Sequence, residues 1–287
     1  MSNKYKKIDS IIKADLVTDG AGVSIERAFG FKETPRLDPF LLLDHFHSGD
    51  PTKYMAGFPW HPHRGIDTIT YILRGSVEHS DSIGNKGIIK AGDIQWMTAG
   101  SGIIHQEMPQ LPEGDDKSIG GFQLWANLPA NDKMTPPRYR NISKEMIPTV
   151  TLAGDVTAKV ICGTLNRTTG PVAEILIEPV YLHVSMPPKT VFTHEVAKGH
   201  TSFTYIFSGS AFFSPDSSRS EEKGTVVLFE RAGKEILIRS GTQGAQYLLV
   251  SGRPLNEPIA WRGPIVMNTD EEIQIAFKDY ENGTFIK

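Results

Sequence analysis

The chain has 287 residues, a formal net charge of −3, 39% hydrophobic residues and 22% charged residues. This length and composition suffice for two domains with buried apolar cores. A net charge so close to zero gives no electrostatic basis for binding nucleic acid or an acidic membrane, and we expect neither partner.

The chain carries one cysteine, Cys162, so it cannot form an intramolecular disulfide. The charged segment Met1–Lys7 is not followed by an apolar stretch, and we therefore expect no signal peptide. No apolar run approaches the roughly 18 residues that a membrane-spanning helix needs. We expect a monomeric cytoplasmic protein, which in a eukaryote would also be nuclear.

Short apolar runs separated by glycine and proline recur along the chain, a pattern typical of an all-β sandwich or barrel. The clearest runs are Phe40–Leu43, Ile66–Leu73, Val226–Phe229 and Tyr247–Val250.

An internal repeat divides these strands into two sets. The segment from Phe58 to Ser76 aligns without a gap with the segment from Phe192 to Ser210, and Phe, Gly, Thr, Tyr, Ile, Gly and Ser occupy matching positions. A duplicated β-domain explains this match. We predict an N-terminal domain over residues 1–135 and a C-terminal domain over residues 136–287, with a linker rich in proline and charge near Asn131–Pro148.

One segment near the C-terminus departs from the strand pattern. Thr269 and Glu272 have the spacing of a helix capping box. An apolar face follows at helical spacing, and Asn282-Gly283 provides a stop; the face consists of Ile273, Ala276, Phe277 and Tyr280. We predict a short C-terminal helix that covers the flank of a barrel.

Two pairs of alternate residues predict a metal site in the N-terminal domain. The pairs are His61 with His63 and His105 with Glu107. Residues i and i+2 of a strand face the same side, so two such strands bring three imidazoles and one carboxylate to a single ion. These ligand types suit Fe, Mn, Ni, Co, Cu or Zn, and the pattern does not choose among them.

A pair of alternate histidines alone is weak evidence for a metal. His45 and His47 also form such a pair, but no second pair remains to complete a site with them. In the C-terminal repeat, Glu195 and Ala197 stand where His61 and His63 stand in the first. The histidines of that half, His183, His194 and His200, form no alternate pair. We therefore expect a C-terminal domain without metal.

The sequence resembles the pirin family over nearly its whole length. The matching stretches are Pro39–Asp44, His61–Gly65, Gly92–Pro109, Gln123–Pro129, Gly252–Ile259 and Gly263–Thr269. The resemblance implies an all-β bicupin fold, with two tandem jelly-roll-type cupin barrels. It also implies one Fe(II) ion on His61, His63, His105 and Glu107, and a second barrel without metal.

For function, the resemblance leaves two main alternatives open. Some pirins resemble quercetinases, the quercetin 2,3-dioxygenases that open the heterocyclic ring of flavonols with dioxygen and release carbon monoxide. Others are redox-sensitive iron proteins that act as transcriptional co-regulators through protein partners. A cupin isomerase acting on sugars fits the fold but suits the ligand set less well.

For the enzyme, we expect a small aromatic substrate of the flavonol class together with dioxygen. Glu107 would be the catalytic residue, either as a ligand or as the acceptor of the substrate proton. Three residues near the ligands could line an aromatic substrate pocket and also fit a barrel core: Phe58, Trp60 and Met97. Gln123, a fourth pocket candidate, could point a polar group inward.

Overall fold

The computed structural model describes residues 4–215 and 217–287. The chain divides into two compact units. The N-terminal unit comprises Asp15–Arg36, Phe40–Lys144 and Leu255–Lys287, and the C-terminal unit comprises the residues up to Ala14, Leu37–Pro39 and Glu145–Pro254.

Strands dominate both units, as the alternation of short apolar runs and turn residues predicts. The first twelve strands are β1 (Ile8–Lys13), β2 (Asp15–Asp19), β3 (Val23–Phe29), β4 (Phe40–Ser48), β5 (Phe58–His63), β6 (Ile66–Arg74), β7 (Ser76–Asp81), β8 (Lys86–Lys90), β9 (Ile94–Thr98), β10 (Ile103–Gln110), β11 (Ile119–Asn127) and β12 (Arg138–Ile142). Short 3₁₀ turns lie at Phe31–Glu33, Pro51–Lys53, Ala130–Asp132, Lys144–Met146 and Ala153–Asp155.

The second half continues this pattern and ends in an α-helix. Its elements are β13 (Thr149–Thr151), β14 (Thr157–Cys162), β15 (Thr164–Leu165), β16 (Thr168–Thr169), β17 (Val180–Met186), β18 (Val191–Glu195), β19 (Thr201–Phe212), β20 (Glu221–Glu222), β21 (Thr225–Phe229), β22 (Glu235–Gly252), β23 (Ala260–Arg262), β24 (Ile265–Met267) and α1 (Asp270–Glu281).

The N-terminal unit is built from two antiparallel sheets. One has the order β5-β10-β7-β8 and the other the order β12-β9-β6-β11-β4-β3-β2. A buried cluster draws Val77 and Ile89 from the first sheet and Val23, Ile25 and Ile72 from the second. The two sheets therefore pack face to face over a shared apolar core, which is the jelly-roll arrangement.

The C-terminal unit is dominated by one large antiparallel sheet that folds onto itself, and β15 and β16 form a separate two-stranded sheet. Its main path is β1-β21-β19-β22-β17-β14-β13, with β18 paired to β22 and β20 paired to β19. The long strand β22 pairs with β18 through its first residues and with β17 through its last residues. It thus reaches both sides of one apolar core, which includes Val160, Leu182, Phe192 and Tyr247.

The two copies of the internal repeat have the same local structure. Each begins on a short strand, β5 or β18, and continues into a long one, β6 or β19. The matched glycines Gly65 and Gly199 have φ of 80° and 82°, and Gly75 and Gly209 have φ of 73° and 70°. Because this backbone region favours glycine, the repeat conserves turns as well as strands.

The compact units are not contiguous in sequence, unlike the predicted ranges 1–135 and 136–287. The main division falls between Lys144 and Glu145, inside the proposed linker. β1 pairs with β21 of the C-terminal unit, whereas β23, β24 and α1 lie in the N-terminal unit. The difference arises because contacts between residues distant in sequence place each end of the chain in the unit formed by the other half. Local sequence patterns do not reveal such contacts.

The C-terminal helix forms where the sequence predicts it. Thr269 is the N-cap, and the capping box with Glu272 is complete. Ile273 and Ala276 are buried in a cluster with Ile265 and Met267 of β24, so the helix covers the β23-β24 hairpin. Among the described residues, no helix has the length and apolarity required to cross a membrane.

Candidate metal centre

Neighbouring strands β5 and β10 bring the predicted histidines together. Along β10 buried and half-buried residues alternate, so His105 and Glu107 face the interior. His105 lies directly opposite His61 in the ladder. The register then shifts between His105 and Glu107, a β-bulge of the kind often found beside functional sites.

Three imidazole nitrogens converge on one point. Nε2 of His61 lies 3.1 Å from Nε2 of His63 and 3.0 Å from Nε2 of His105. His61 is half-buried, while His63 and His105 are each 1% exposed. The cluster is therefore accessible from solvent at His61 and enclosed by protein at His63 and His105.

The hydrogen bonds of the other ring nitrogens fix the protonation of two of these rings. Nδ1 of His61 lies 2.8 Å from the carbonyl oxygen of Pro59, and Nδ1 of His63 lies 3.1 Å from that of Pro264. A carbonyl oxygen only accepts, so each Nδ1–H donates and each neutral ring presents a lone pair on Nε2. Two lone pairs then face each other across 3.1 Å with no proton between them.

Protonation of the buried rings would relieve this repulsion, but it is disfavoured. Burial, followed by the charges of neighbouring histidines, lowers the pKa of both His63 and His105 well below 6.5. The rings are therefore neutral near pH 7, which is the form that binds metals.

A metal ion fits this arrangement. Two nitrogens that are each about 2.1 Å from one ion, at adjacent coordination positions, lie roughly 3 Å apart. The separations of 3.1 Å and 3.0 Å match that spacing. A cation at the point of convergence would replace repulsion between lone pairs with coordination, so the three histidines form a group able to hold a metal.

Glu107, the fourth predicted ligand, is held beside the histidines by two other side chains. Thr70 Oγ1–H donates to Oε1 across 3.0 Å, and Gln123 Nε2 donates to Oε2 across 2.8 Å. Trp125 Nε1 donates to Gln123 Oε1 across 3.0 Å, which orients the amide with its NH₂ group towards Glu107. The ligand atoms of the three histidines all lie within 4.8 Å of one another, and the Glu107 carboxylate does not belong to this group.

A second layer of polar side chains, which the sequence interpretation missed, supports His105. Nε2 of His79 lies 3.2 Å from Nδ1 of His105 and 3.3 Å from the hydroxyl of Tyr139. Tyr139 in turn hydrogen-bonds Asp81, and burial followed by the Asp81 charge raises the pKa of Tyr139. For Nε2 of His105 to bind a metal, its proton must be on Nδ1, where His79 can accept it.

This layer left a partial signal in the sequence. On β7, Val77, His79 and Asp81 occupy every second position and are buried, whereas the residues between them are half-buried. That alternation predicts two inward polar groups opposite β10. Tyr139, by contrast, belongs to β12, and only the pairing of β12 with β9 brings it into the unit.

The four pocket candidates take different positions. Phe58 and Gln123 line a cavity beside Glu107. Trp60 is half exposed, and Met97 is fully buried in an apolar cluster with Leu41 and Ile66.

The cavity beside Glu107 is small and mostly apolar. Its walls include Val23, Ile25, Phe46, Tyr54, Phe58 and Val77, and its polar groups are Asp44, Thr70, Glu107 and Gln123. The volume is about 30 Å³. That is room for one or two water molecules, whereas pockets for drug-sized ligands occupy roughly 300–1,000 Å³.

The histidines of the C-terminal half are buried but scattered. Burial lowers the pKa of His183 and of His194 to about 4 in each case. His194 lies on β18, His183 on β17 and His200 outside the strands. Within residues 4–215 and 217–287, two groups of side chains could hold a metal, and both belong to the N-terminal unit. They are His61 with His63 and His105, and Glu26 with His45 and His47.

Comparison with solved structures matches this architecture. A crystal structure of quercetin 2,3-dioxygenase from Acinetobacter baumannii superposes with a TM-score of 0.90 at 33% identity and covers 98% of each chain. The nickel(II) complex of the pirin YhhW from Escherichia coli gives a TM-score of 0.63 at 19% identity, covering 85% of this chain and 98% of that one. The second likeness shows the fold alone.

Comparison of sequences gives the family. The Pirin model matches residues 22–126 and the Pirin C-terminal cupin domain model matches residues 181–286. A Pseudomonas aeruginosa protein, provisionally named a quercetin 2,3-dioxygenase, is 39% identical and covers 98% of each chain. Human pirin is 38% identical and covers 96% of this chain and 93% of its own. The chain therefore belongs to the pirin family and has its all-β bicupin fold.

Proposed function

We propose that this protein is a metal-dependent dioxygenase of the quercetin 2,3-dioxygenase type, with iron as the resident metal. The observation that carries the proposal is the convergence of three imidazole nitrogens, with Nε2 of His61 lying 3.1 Å from that of His63 and 3.0 Å from that of His105. A divalent ion held by these residues would supply a Lewis acid for a reaction that begins with a deprotonated hydroxyl, such as the 3-hydroxyl of a flavonol. The names of the bacterial relatives support the choice of substrate class.

His61, His63 and His105 are the proposed metal-holding residues. Three neutral ligands leave the charge of a divalent ion uncompensated, so an anionic enolate is a favourable further partner. Three protein ligands also leave coordination positions free on an ion that prefers six. The half-buried His61 marks the side from which a small molecule can reach them.

Glu107 is the proposed acceptor of the substrate proton. Both of its oxygens already accept hydrogen bonds, from Thr70 and from Gln123, so the carboxylate is held in one orientation. A carboxylate has lone pairs to spare after two such bonds and can accept a further proton. A general base beside the ligand set suits a reaction that begins with deprotonation of a hydroxyl.

The cavity beside Glu107 agrees with an aromatic substrate in lining but not in size. Its apolar walls suit a flat ring system, while its volume of about 30 Å³ does not admit a flavonol. Phe58 is half-buried at the start of β5 and lines the cavity. We propose that displacement of the Phe58 ring opens this space when substrate enters.

The small cavity also favours the rival function, a non-enzymatic redox-sensitive iron protein that regulates transcription through protein partners. Such a protein needs the three-histidine site but no room for a flavonol. The resemblance to the pirin family, some of whose members act as such regulators, supports this alternative.

An anaerobic reconstitution separates the two functions. The protein is loaded with Fe(II), and in parallel with Mn, Co, Ni, Cu or Zn, and then mixed with quercetin and dioxygen. The enzyme predicts loss of flavonol absorbance with release of carbon monoxide, abolished in His63→Ala and retained in His200→Ala. Absence of turnover with every metal, in protein shown to hold the ion, would favour the regulator.

A further inference from the structure

A second cluster of metal-binding side chains lies on the seven-stranded sheet of the N-terminal unit. His45 and His47 alternate on β4, and Glu26 lies on the neighbouring strand β3. Glu26 and His45 are direct cross-strand partners. Two imidazoles from one strand and a carboxylate from the next therefore point to the same side of the sheet.

The ligand atoms of this cluster are close together. Glu26 Oε1 lies 3.1 Å from Nε2 of His47, and Glu26 Oε2 lies 3.6 Å from Nδ1 of His45. All three ligand atoms lie within 4.8 Å of one another. We infer that Glu26, His45 and His47 form a second site for a divalent transition-metal ion, separate from the three-histidine centre.

The residue types suit a divalent metal ion. The nitrogens of His45 and His47 that face Glu26 donate to its carboxylate, and an ion bound between them would take the place of those protons, which can move to the other nitrogen of each ring. A neutral imidazole with a carboxylate is a ligand set for Zn, Ni, Cu or Fe.

Packing on one side makes the cluster a formed site rather than a set of mobile surface groups. The His45 ring lies 4.6 Å from the Phe122 ring and 4.4 Å from the His47 ring, measured between centroids. The His45 side chain is 9% exposed, compared with 34% for Glu26 and 51% for His47. One ligand is thus fixed by its neighbours, and two are open to an incoming ion.

The other side of the cluster offers space for water. Residue 120, the cross-strand partner of His47 on β11, is a glycine, so no side chain covers the imidazole from that strand. An ion held by three protein ligands can complete its coordination shell with water. Because His47 is exposed, Glu26 is only half-buried and only two ligands are imidazoles, we expect this site to bind metal more weakly than the three-histidine centre.

Zinc titration of chelator-treated full-length protein tests the inference without flavonol or dioxygen, so its outcome is independent of the proposed enzyme activity. Calorimetry should resolve two binding events per chain. His47→Ala and Glu26→Gln should each weaken the second event at least tenfold and leave the first unchanged. The matched variant His63→Ala should weaken the first event more than about 100-fold and leave the second unchanged.

Cu(II) electron paramagnetic resonance in the His63→Ala background identifies the ligands directly. Hyperfine coupling to imidazole nitrogen should appear with one equivalent of copper, and His63→Ala/His47→Ala should show fewer coupled imidazole nitrogens than His63→Ala. Circular dichroism melts establish that each variant is folded. A single zinc event in the wild type, or a second event unaltered by both His47→Ala and Glu26→Gln, would overturn the second site.

Discussion

His61 and His63 present unprotonated Nε2 atoms to each other across 3.1 Å, while each donates its Nδ1 proton to a backbone carbonyl. The backbone thus helps to determine which nitrogen of each ring is available to bind a metal. The carbonyls of Pro59 and Pro264 select the tautomer, and the strand geometry of β5 sets the separation. Because the two lone pairs repel each other, a cation bound between them would stabilise this arrangement.

Replacing His63 by alanine should remove one of the three converging nitrogens. We expect metal affinity at this centre to fall more than about 100-fold, a larger loss than the outer-layer effects of 10–100-fold. Inductively coupled plasma mass spectrometry after dialysis measures the retained metal. The double variant His194→Ala/His200→Ala is the control and should retain the wild-type amount; a loss there would place an ion in the C-terminal unit.

Replacing Tyr139 by phenylalanine should weaken the support of His105. The change removes the hydroxyl that lies 3.3 Å from His79 and keeps the packing of the ring. We expect metal affinity to fall about 10-fold, at the lower end of outer-layer effects. Tyr247→Phe is the matched control, since its buried hydroxyl contacts only Met186 Sδ among the hydrogen bonds found for it. Equal affinities of both variants would mean that the chain from Tyr139 to His105 has no role.

Replacing Glu107 by glutamine separates ligation from proton transfer. Glutamine preserves the size of the side chain, and its amide oxygen can still accept from Thr70 or Gln123. If Glu107 accepts the substrate proton, turnover should fall by roughly 10²–10⁴-fold while metal content remains unchanged. Metal analysis alongside steady-state kinetics distinguishes the roles, because loss of the ion itself would identify Glu107 as a ligand.

The C-terminal unit should lose stability in acid through His194. Burial lowers its pKa from 6.5 to about 4, and its Nε2 is buried without a hydrogen-bond partner in the described structure. Between pH 6.5 and pH 4 the unfolded chain binds more protons than the folded chain, so the free energy of unfolding falls as the pH falls. Across that window the loss is roughly 3 kcal/mol.

His194→Leu should remove this loss, and urea denaturation at pH 6.5 and pH 4 measures it. The neighbouring exposed residue supplies the control, Thr193→Ala, whose pH dependence should parallel that of the wild type. Identical pH dependence for His194→Leu and the wild type would contradict the assignment.

Gly65→Ala should destabilise the N-terminal unit and loosen the metal centre. Gly65 has φ of 80°, and an added Cβ would overlap the carbonyl oxygen of Val266. We expect a loss of at least about 2 kcal/mol in the free energy of unfolding. Gly87→Ala, where nothing lies within 4 Å of the added atom, is the control. Thermal melts of the two variants should diverge, and equal melting temperatures would contradict the close approach.

Features that depend on neighbours in sequence could be predicted from the sequence. The capping box of Thr269 specifies the helix through residues within one turn of it. The alternation of His61 and His63 predicts a shared face because a strand has a period of two residues. The all-β fold class, which follows from short apolar runs, is confirmed.

Features that depend on long-range pairing could not be predicted in the same way. Tyr139 meets His79 only because β12 pairs with β9, and Pro264 reaches the metal centre only because the β23-β24 segment lies in the N-terminal unit. Glu26 completes the cluster with His45 only through the register of β3 against β4. No local pattern encodes these registers, so the contacts of Tyr139, Pro264 and Glu26 do not follow from the sequence alone.

X-ray absorption spectroscopy at the nickel edge tests the central claim most directly. The His47→Ala variant, which lacks the proposed second site, is loaded with one equivalent of Ni(II) after chelator treatment. The three-histidine centre predicts an inner shell containing three imidazole nitrogens at about 2.1 Å, with the outer scattering of the rings, and one ring fewer in His63→Ala/His47→Ala. A spectrum without imidazole scattering, or one that His63→Ala leaves unaltered, would contradict it.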